Sequence, residues 1–312
     1  MVLSQAITLM ESQKPSDQEK GQAILNACLP FTGASIRVGI TGTPGVGKSS
    51  FIEALGCYLT AQDHKVAVLA IDPSSPLSKG SILGDKTRME RLSRDPLAFI
   101  RPSPTAGSLG GVAQKTRETM LLCEAAGYDV VLLETVGVGQ SEVAVHALSD
   151  FFLLLLLPGA GDELQGIKRG IVEMADLIAV NKSEGDRMPL AKRTKQAYRN
   201  ALHLFPPKPS AWTPPVELCS AIQETGMDTI WKHIQQHQAS TQSNGYWTKN
   251  RAEQVKYWFR ESLQQGLWAS LQNHPVIKEM LPQIEVAVLR EEMTPFKGAQ
   301  EILALFLPKS GI

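Results

Sequence analysis

The sequence predicts an α/β protein: a doubly wound, mostly parallel sheet with helical extensions before and after it. Three observations lead there. Short runs rich in Val, Ile and Leu recur along the middle of the chain, helical stretches alternate with them, and a glycine-rich turn directly follows the first run. The runs are Ile36–Thr41, Val66–Ile71, Asp129–Glu134, Phe151–Leu157, Leu177–Val180 and Val216–Cys219. Continuous apolar runs of this length suit strands covered by helices on both faces. Helical stretches such as Ser49–Gln62 and Thr116–Ala126 lie between them, and that alternation winds a parallel sheet.

The ends read differently. Residues 1–34 are helical and mostly polar, with Ile7, Met10, Ile24 and Leu25 as their apolar set, and form an N-terminal extension. The sheet domain spans 35–238. The polar stretch Gln235–Trp247 marks a linker or a helix break, and 239–312 form a C-terminal helical arm in which no strand alternation resumes. Within it Asn250–Trp268 is helix-like, followed by Pro282–Leu289 and an amphipathic Gly298–Leu307. Val255, Trp258, Phe259, Leu263 and Leu267 fall at helical spacing, as either an internal packing face or a dimer interface.

Composition excludes several classes. The 312 residues are 43% hydrophobic and 20% charged, an ordinary globular balance. Lys+Arg and Asp+Glu both number 31, which argues against a chain that chiefly holds nucleic-acid phosphates or acidic lipid. The longest apolar run, Phe151–Leu157, falls far short of the roughly 20 residues a membrane-spanning helix needs. The N-terminus lacks the pattern of a signal peptide. Cys28, Cys57, Cys123 and Cys219 are scattered without a CxxC pair, so they read as reduced core residues of a cytoplasmic protein.

The turn after the first run is Gly42-Thr43-Pro44-Gly45-Val46-Gly47-Lys48-Ser49, with Ser50 following: the Walker A pattern, set between a strand and a helix. Its glycines let backbone N–H groups converge on phosphates, Lys48 reaches the β and γ oxygens, and the Ser49 hydroxyl ligates Mg²⁺. The fold is therefore expected to be the P-loop, G-domain version of the doubly wound sheet. Asp72 and Glu134 each end a strand, where carboxylates face the crevice and hold a metal or its waters. Glu134-Thr-Val-Gly137 is similar to the γ-phosphate sensor D-x-x-G, so the Gly137 N–H is expected on the γ-phosphate. Val138 stands where a water-positioning Gln would follow, so intrinsic hydrolysis is expected to be slow.

Asn181-Lys182 follows one strand and Ser220-Ala221 another, the arrangement by which guanine is read. The fourth position of the N-K-x-D pattern is Glu184, which leaves adenine as the alternative base. Minor signals carry blander readings. His233 and His237 stand four apart, as solvated helix histidines rather than a metal pair, and Lys192–Arg199 is the wet face of a helix.

With these residues in place, the chain resembles the MeaB/ArgK family of P-loop GTPases, chaperones of adenosylcobalamin-dependent acyl-CoA mutases. The stretches that carry the resemblance begin at Gly42 (GTPGVGKSS), Ala70 (AIDPSSPLSKGSILGDKTRM), Ala125 (AAGYDVVLLETVGVGQSE), Pro158 (PGAGDELQGIKRGI) and Ala179 (AVNKSEGD). The resemblance implies a magnesium site at Ser49, Asp72, Asp85 and Glu134, with Lys48, Glu134 and Gly137 as catalytic positions. It implies a third mobile segment over Pro158–Lys168, including Gly159, Gly161, Asp162, Gln165 and Lys168, that reports GTP or GDP to a mutase. It also implies a homodimer joined through the C-terminal helices. Two other readings stay open: a kinase linked to lysine/arginine/ornithine transport, and a metallochaperone GTPase.

Overall fold

The computed structural model describes residues 2–12, 14–71, 89–102, 109–135, 141–160 and 169–306, with residues 109–111 as backbone alone. It divides into two compact units, Met1–Val255 and Lys256–Ile312.

The first unit is built on a sheet of seven strands: β1 (Ile36–Gly42), β2 (Val66–Ile71), β3 (Ala98–Arg101), β4 (Val130–Thr135), β5 (Phe151–Leu156), β6 (Leu177–Val180) and β7 (Val216–Leu218). Their order is β3-β2-β4-β1-β5-β6-β7 and every pairing is parallel. The expected class is the observed one. Every residue of β2, β4, β5 and β6 is buried, which is why these strands read as unbroken apolar runs. The order turns at β1, with β2–β4 on one side and β5–β7 on the other, so the crevice beyond the carboxyl end of β1 is the natural ligand site.

The first unit's helices are α1 (Val2–Glu11), α2 (Pro15–Cys28), α3 (Lys48–Thr60), α4 (Glu90–Ser93), α5 (Leu109–Ala125), α6 (Ser141–His146), α7 (Arg169–Met174), α8 (Met188–Leu202) and α9 (Met227–Ser243). The division between units falls within α10 (Tyr246–Asn273). Phe51, Ile52, Leu55 and Leu59 of α3 are wholly buried and pack with β1, β2, β4 and β5 in the main core. In the N-terminal extension Ile7, Met10 and Leu25 pack on Leu121 and Leu122 of α5.

Two details depart from the sequence-based expectation, and one settles an open alternative. Strand β3 has no counterpart among the expected runs, because its four residues are only half-buried and form a sheet edge. Of the two readings of Gln235–Trp247 the structure shows the helix break: α9 continues to Ser243 and ends at Asn244-Gly245, where Gly245 takes φ +77°. His237, expected in solvent, is 2% exposed and packs edge-on against Phe151 and Trp212. All four cysteines are free, two of them (Cys123 and Cys219) buried.

The second unit contains the rest of α10 with α11 (Pro275–Leu289) and α12 (Pro295–Phe306). Pro275 opens α11 where its missing N–H costs nothing, whereas Pro282, expected to begin a segment, lies inside the helix. Leu271, Ile277, Ile284 and Ile302 form its small core.

Candidate active site

The site begins with what the end of β1 requires. A Cβ on Gly42 would fall 2.6 Å from the Leu155 carbonyl oxygen, so only glycine lets the loop leave the sheet beside β5. Gly47 has φ +91°, and a Cβ there would stand 3.0 Å from Nδ2 of Asn181. The loop is thus shaped both to turn back on itself and to admit the residue expected to read the base. Thr43 accepts from Val46 N (3.2 Å), the Val46 side chain is buried beneath the loop, and Pro44 and Gly45 are exposed at its tip. Helix α3 starts at Lys48, so the loop's amides and the helix's free N–H groups share one concave rim where anions are favoured. Ser50 lies exposed in its first turn.

Lys48 and Ser49 meet the end of β4 there. The Lys48 ammonium donates to the Gly42 carbonyl (2.7 Å), which folds its stem over the loop. Ser49 Oγ donates to Oε1 of Glu134 (3.1 Å), and Glu134 is 5% exposed. Burial pushes the Lys48 ammonium below its ordinary pKa, while the charges of Glu134 and Glu142 work in the opposite direction. Glu142, buried in α6, is a charge on this site that the sequence reading did not single out. A half-buried hydroxyl and a buried carboxylate at one corner are hard oxygen donors of the kind Mg²⁺ takes. Thr135 Oγ1 donates to Thr41 Oγ1 (3.0 Å) and locks the ends of β4 and β1 together beneath them.

The residues expected to read the base follow β6 and β7. The Asn181 amide donates to the Val46 carbonyl (2.9 Å) and its Oδ1 accepts from Ala221 N (3.1 Å), so one buried side chain ties the phosphate loop to the turn after β7. Lys182, at φ +59°, donates to the Gly45 carbonyl (2.7 Å). Ser220 and Thr225 pair through their backbones and Ser220 Oγ accepts from Gln223 N (3.1 Å), which closes a tight turn holding Ala221 in place. Glu184 has a buried carboxylate oxygen, Oε2, with no hydrogen-bond partner, and burial, with a smaller push from the Glu184 charge, raises the Cys219 thiol to about 12. Unsatisfied buried carboxylate oxygens are costly and call for a donor.

The structure brings together Gly42–Ser49, Glu134, Asn181, Lys182, Ser220 and Ala221 at the carboxyl ends of β1, β4, β6 and β7. Gly159, just past β5, has φ +94° and donates its N–H to Thr194 Oγ1 of α8 (2.9 Å). Asp72, Asp85, Gly137, Gly161, Asp162, Gln165 and Lys168 lie outside the described residues.

This fold and loop define a P-loop nucleotide hydrolase. The family model for the methylmalonyl Co-A mutase-associated GTPase MeaB matches residues 3–275. The chain belongs to this family and is a GTPase. It is 44% identical to the "GTPase ArgK" of Escherichia coli over 96% of this chain and 91% of that protein. It is also 44% identical to the mouse (Mus musculus) protein named "Methylmalonic aciduria type A homolog, mitochondrial", over 97% of this chain and 76% of that one. A crystal structure titled "LAO/AO transport system kinase" superposes with a TM-score of 0.77 at 38% identity, over 97% of this chain and 92% of that chain. The name ArgK therefore stands beside the word GTPase, and no observation here favours the kinase reading.

Proposed function

We propose that the chain hydrolyses Mg²⁺–GTP to GDP and phosphate and passes its nucleotide state to an adenosylcobalamin-dependent acyl-CoA mutase, as a chaperone of cofactor loading or protection. The observation that carries the nucleotide half is the unpartnered Oε2 of Glu184 beside the Asn181–Ala221 contact. Guanine offers N1–H and N2–H donors that a carboxylate accepts, and adenine offers no such pair at that edge. In this reading Lys48 and the loop amides hold the β and γ phosphates. Ser49 and Glu134, with Asp72 and Asp85, would hold Mg²⁺, and the ion would supply charge neutralisation at the γ-phosphate. The Gly137 N–H would meet that phosphate.

The mutase half is supported by the family's printed description, which names a methylmalonyl-CoA mutase. Gly159 and Ala160, held by Thr194 and Tyr198 of α8, lead into the segment that includes Gly161, Asp162, Gln165 and Lys168. A partner that contacts such a segment differently in the GTP and GDP states must in turn change nucleotide affinity. The exposed apolar residues Phe259, Leu263, Leu267 and Trp268 of α10 support homodimerisation through the C-terminal arm. Among the described residues no helix is long and apolar enough to cross a membrane, and a cytoplasmic location belongs to the same proposal.

The test is calorimetry with GDP and a non-hydrolysable GTP analogue, with and without purified methylmalonyl-CoA mutase. The expected result is a mutase-dependent shift that differs between the two nucleotides. Affinities unchanged by the mutase would overturn the chaperone role and leave the GTPase standing.

A further inference from the structure

The nucleotide elements leave unexplained a cavity of about 620 Å³ at the other end of the sheet. Its walls include Phe152 at the amino end of β5, Asp176 just before β6, the 203–215 loop, His237 of α9 and Tyr246 at the start of α10. Strand β5 separates it from the phosphate loop by about 20 Å, six residues at the usual rise. Its volume lies within the range that holds small molecules.

The wall is built to stay in place. The loop contains Pro206, Pro207, Pro209, Pro214 and Pro215, and Ala211 is held at φ +58° in the left-handed region. Trp212 is fixed by its indole N–H on the Asp176 carbonyl (2.8 Å) and by edge-on contact with His237, ring centres 5.3 Å apart. A cavity that exists before its ligand arrives spends little on ordering.

Its charges cancel. Asp176 receives Lys208 on one carboxylate oxygen (2.7 Å) and the Phe152 N–H on the other (3.0 Å). Asp150 receives Arg251 through Nε (2.8 Å) and Nη2 (2.7 Å). Burial keeps His146 and His237 below their ordinary pKa, so both rings are neutral near pH 7. What remains is an aromatic lining with uncharged polar groups: the Tyr246 hydroxyl, the Asn250 carboxamide and His237, whose Nδ1 is buried with no hydrogen-bond partner. An anion has no countercharge here, and a purely aliphatic ligand leaves the polar groups unmatched.

We infer that this cavity is a second ligand site, and that it takes an uncharged planar heterocycle stacked among Phe152, Trp212 and Tyr246 with its ring N–H or carbonyl groups on Asn250 and Tyr246. The inference is independent of the mutase proposal.

The probes are nicotinamide and quinolin-4-one, with benzoate as the anionic counterpart of similar size. Each is added to the full chain saturated with GDP, and binding is read by saturation-transfer NMR. The neutral heterocycles receive saturation with a Kd of about 1 mM or tighter, and benzoate binds at least tenfold more weakly. Gly170→Trp sets an indole against the cavity from its exposed lining, where an added Cβ meets no atom within 4 Å, and it abolishes transfer while GDP affinity is unchanged. The double variant Tyr246→Phe/Asn250→Leu, which removes the polar groups without filling the space, weakens both heterocycles at least fivefold. The proposal is overturned by absence of transfer to both neutral probes, by benzoate binding as well as they do, or by transfer that survives in Gly170→Trp. Undiminished binding in the double variant would also overturn it.

Discussion

The two ends of the parallel sheet treat their buried carboxylates in opposite ways. At the amino end each is saturated by the protein. Glu124 receives the Arg37 guanidinium (2.7 and 3.1 Å), the Ser35 hydroxyl (2.5 Å) and the Gly33 N–H (2.8 Å). Asp150 holds Arg251 and the Arg37 N–H (2.9 Å). At the carboxyl end Glu184 has a buried oxygen with no partner, and Glu134 shares a corner with a serine hydroxyl beside a buried lysine. A carboxylate closed by arginine ties elements together, whereas an oxygen left open, as in Glu184, is what a nucleotide's donor would need. The first arrangement contributes stability and the second gives up some of it for binding.

The comparison can be broken at either end, and the largest effect is expected in the phosphate loop. Lys48→Ala should lower single-turnover GTP hydrolysis by about 100-fold or more, because a preorganised cation on the transferring phosphate is lost. Its denaturation midpoint should hold or rise slightly, since burial disfavours that ammonium in the fold.

Glu124→Ala should do the reverse. It leaves Arg37 buried without its carboxylate, at a cost of about 3–5 kcal/mol in urea unfolding, with the GDP affinity of the folded protein unchanged. Burial by itself would raise the Glu124 pKa, and the Arg37 pair outweighs it, so the folded value lies below the ordinary 4.5. A carboxyl with a depressed folded pKa contributes stability above its unfolded value and loses it as pH falls through the folded one. Acid unfolding below about pH 4.5 should therefore be less steep in Glu124→Gln than in the unaltered chain.

A smaller effect belongs to His237. Its folded pKa lies below the ordinary 6.5, chiefly through burial, so the unfolded chain takes up the proton first as pH falls. Stability that is full above pH 6.5 should decline below it, and His237→Phe should flatten that decline when denaturation midpoints are compared at pH 7.5 and 5.5.

What the sequence revealed follows the same division. The phosphate loop was legible because Gly42, Gly47, Lys48 and Ser49 must stand at fixed spacing for backbone amides to converge. Glu134 was legible because it ends an unbroken apolar run. The ion pairs at the amino end were not, because Arg37 and Glu124 are 87 residues apart and Arg251 and Asp150 are 101 apart, with no local pattern to join them. Strand β3 was too short and too exposed to announce itself, and His237 was misread because its sequence neighbours are polar while its own face of α9 is buried. The open oxygen of Glu184 needed the fold as well: the sequence located the residue and left its base unresolved.

That oxygen is the point on which the account turns, and calorimetry with GDP and ADP on the unaltered chain and on Glu184→Gln tests it directly. The account predicts a clear preference for GDP and a loss of about 10- to 100-fold in GDP affinity in the variant, with ADP unaffected, as expected for removing one charged hydrogen-bond acceptor. Equal affinities for GDP and ADP in the unaltered chain, or a GDP affinity that Glu184→Gln leaves intact, would contradict it.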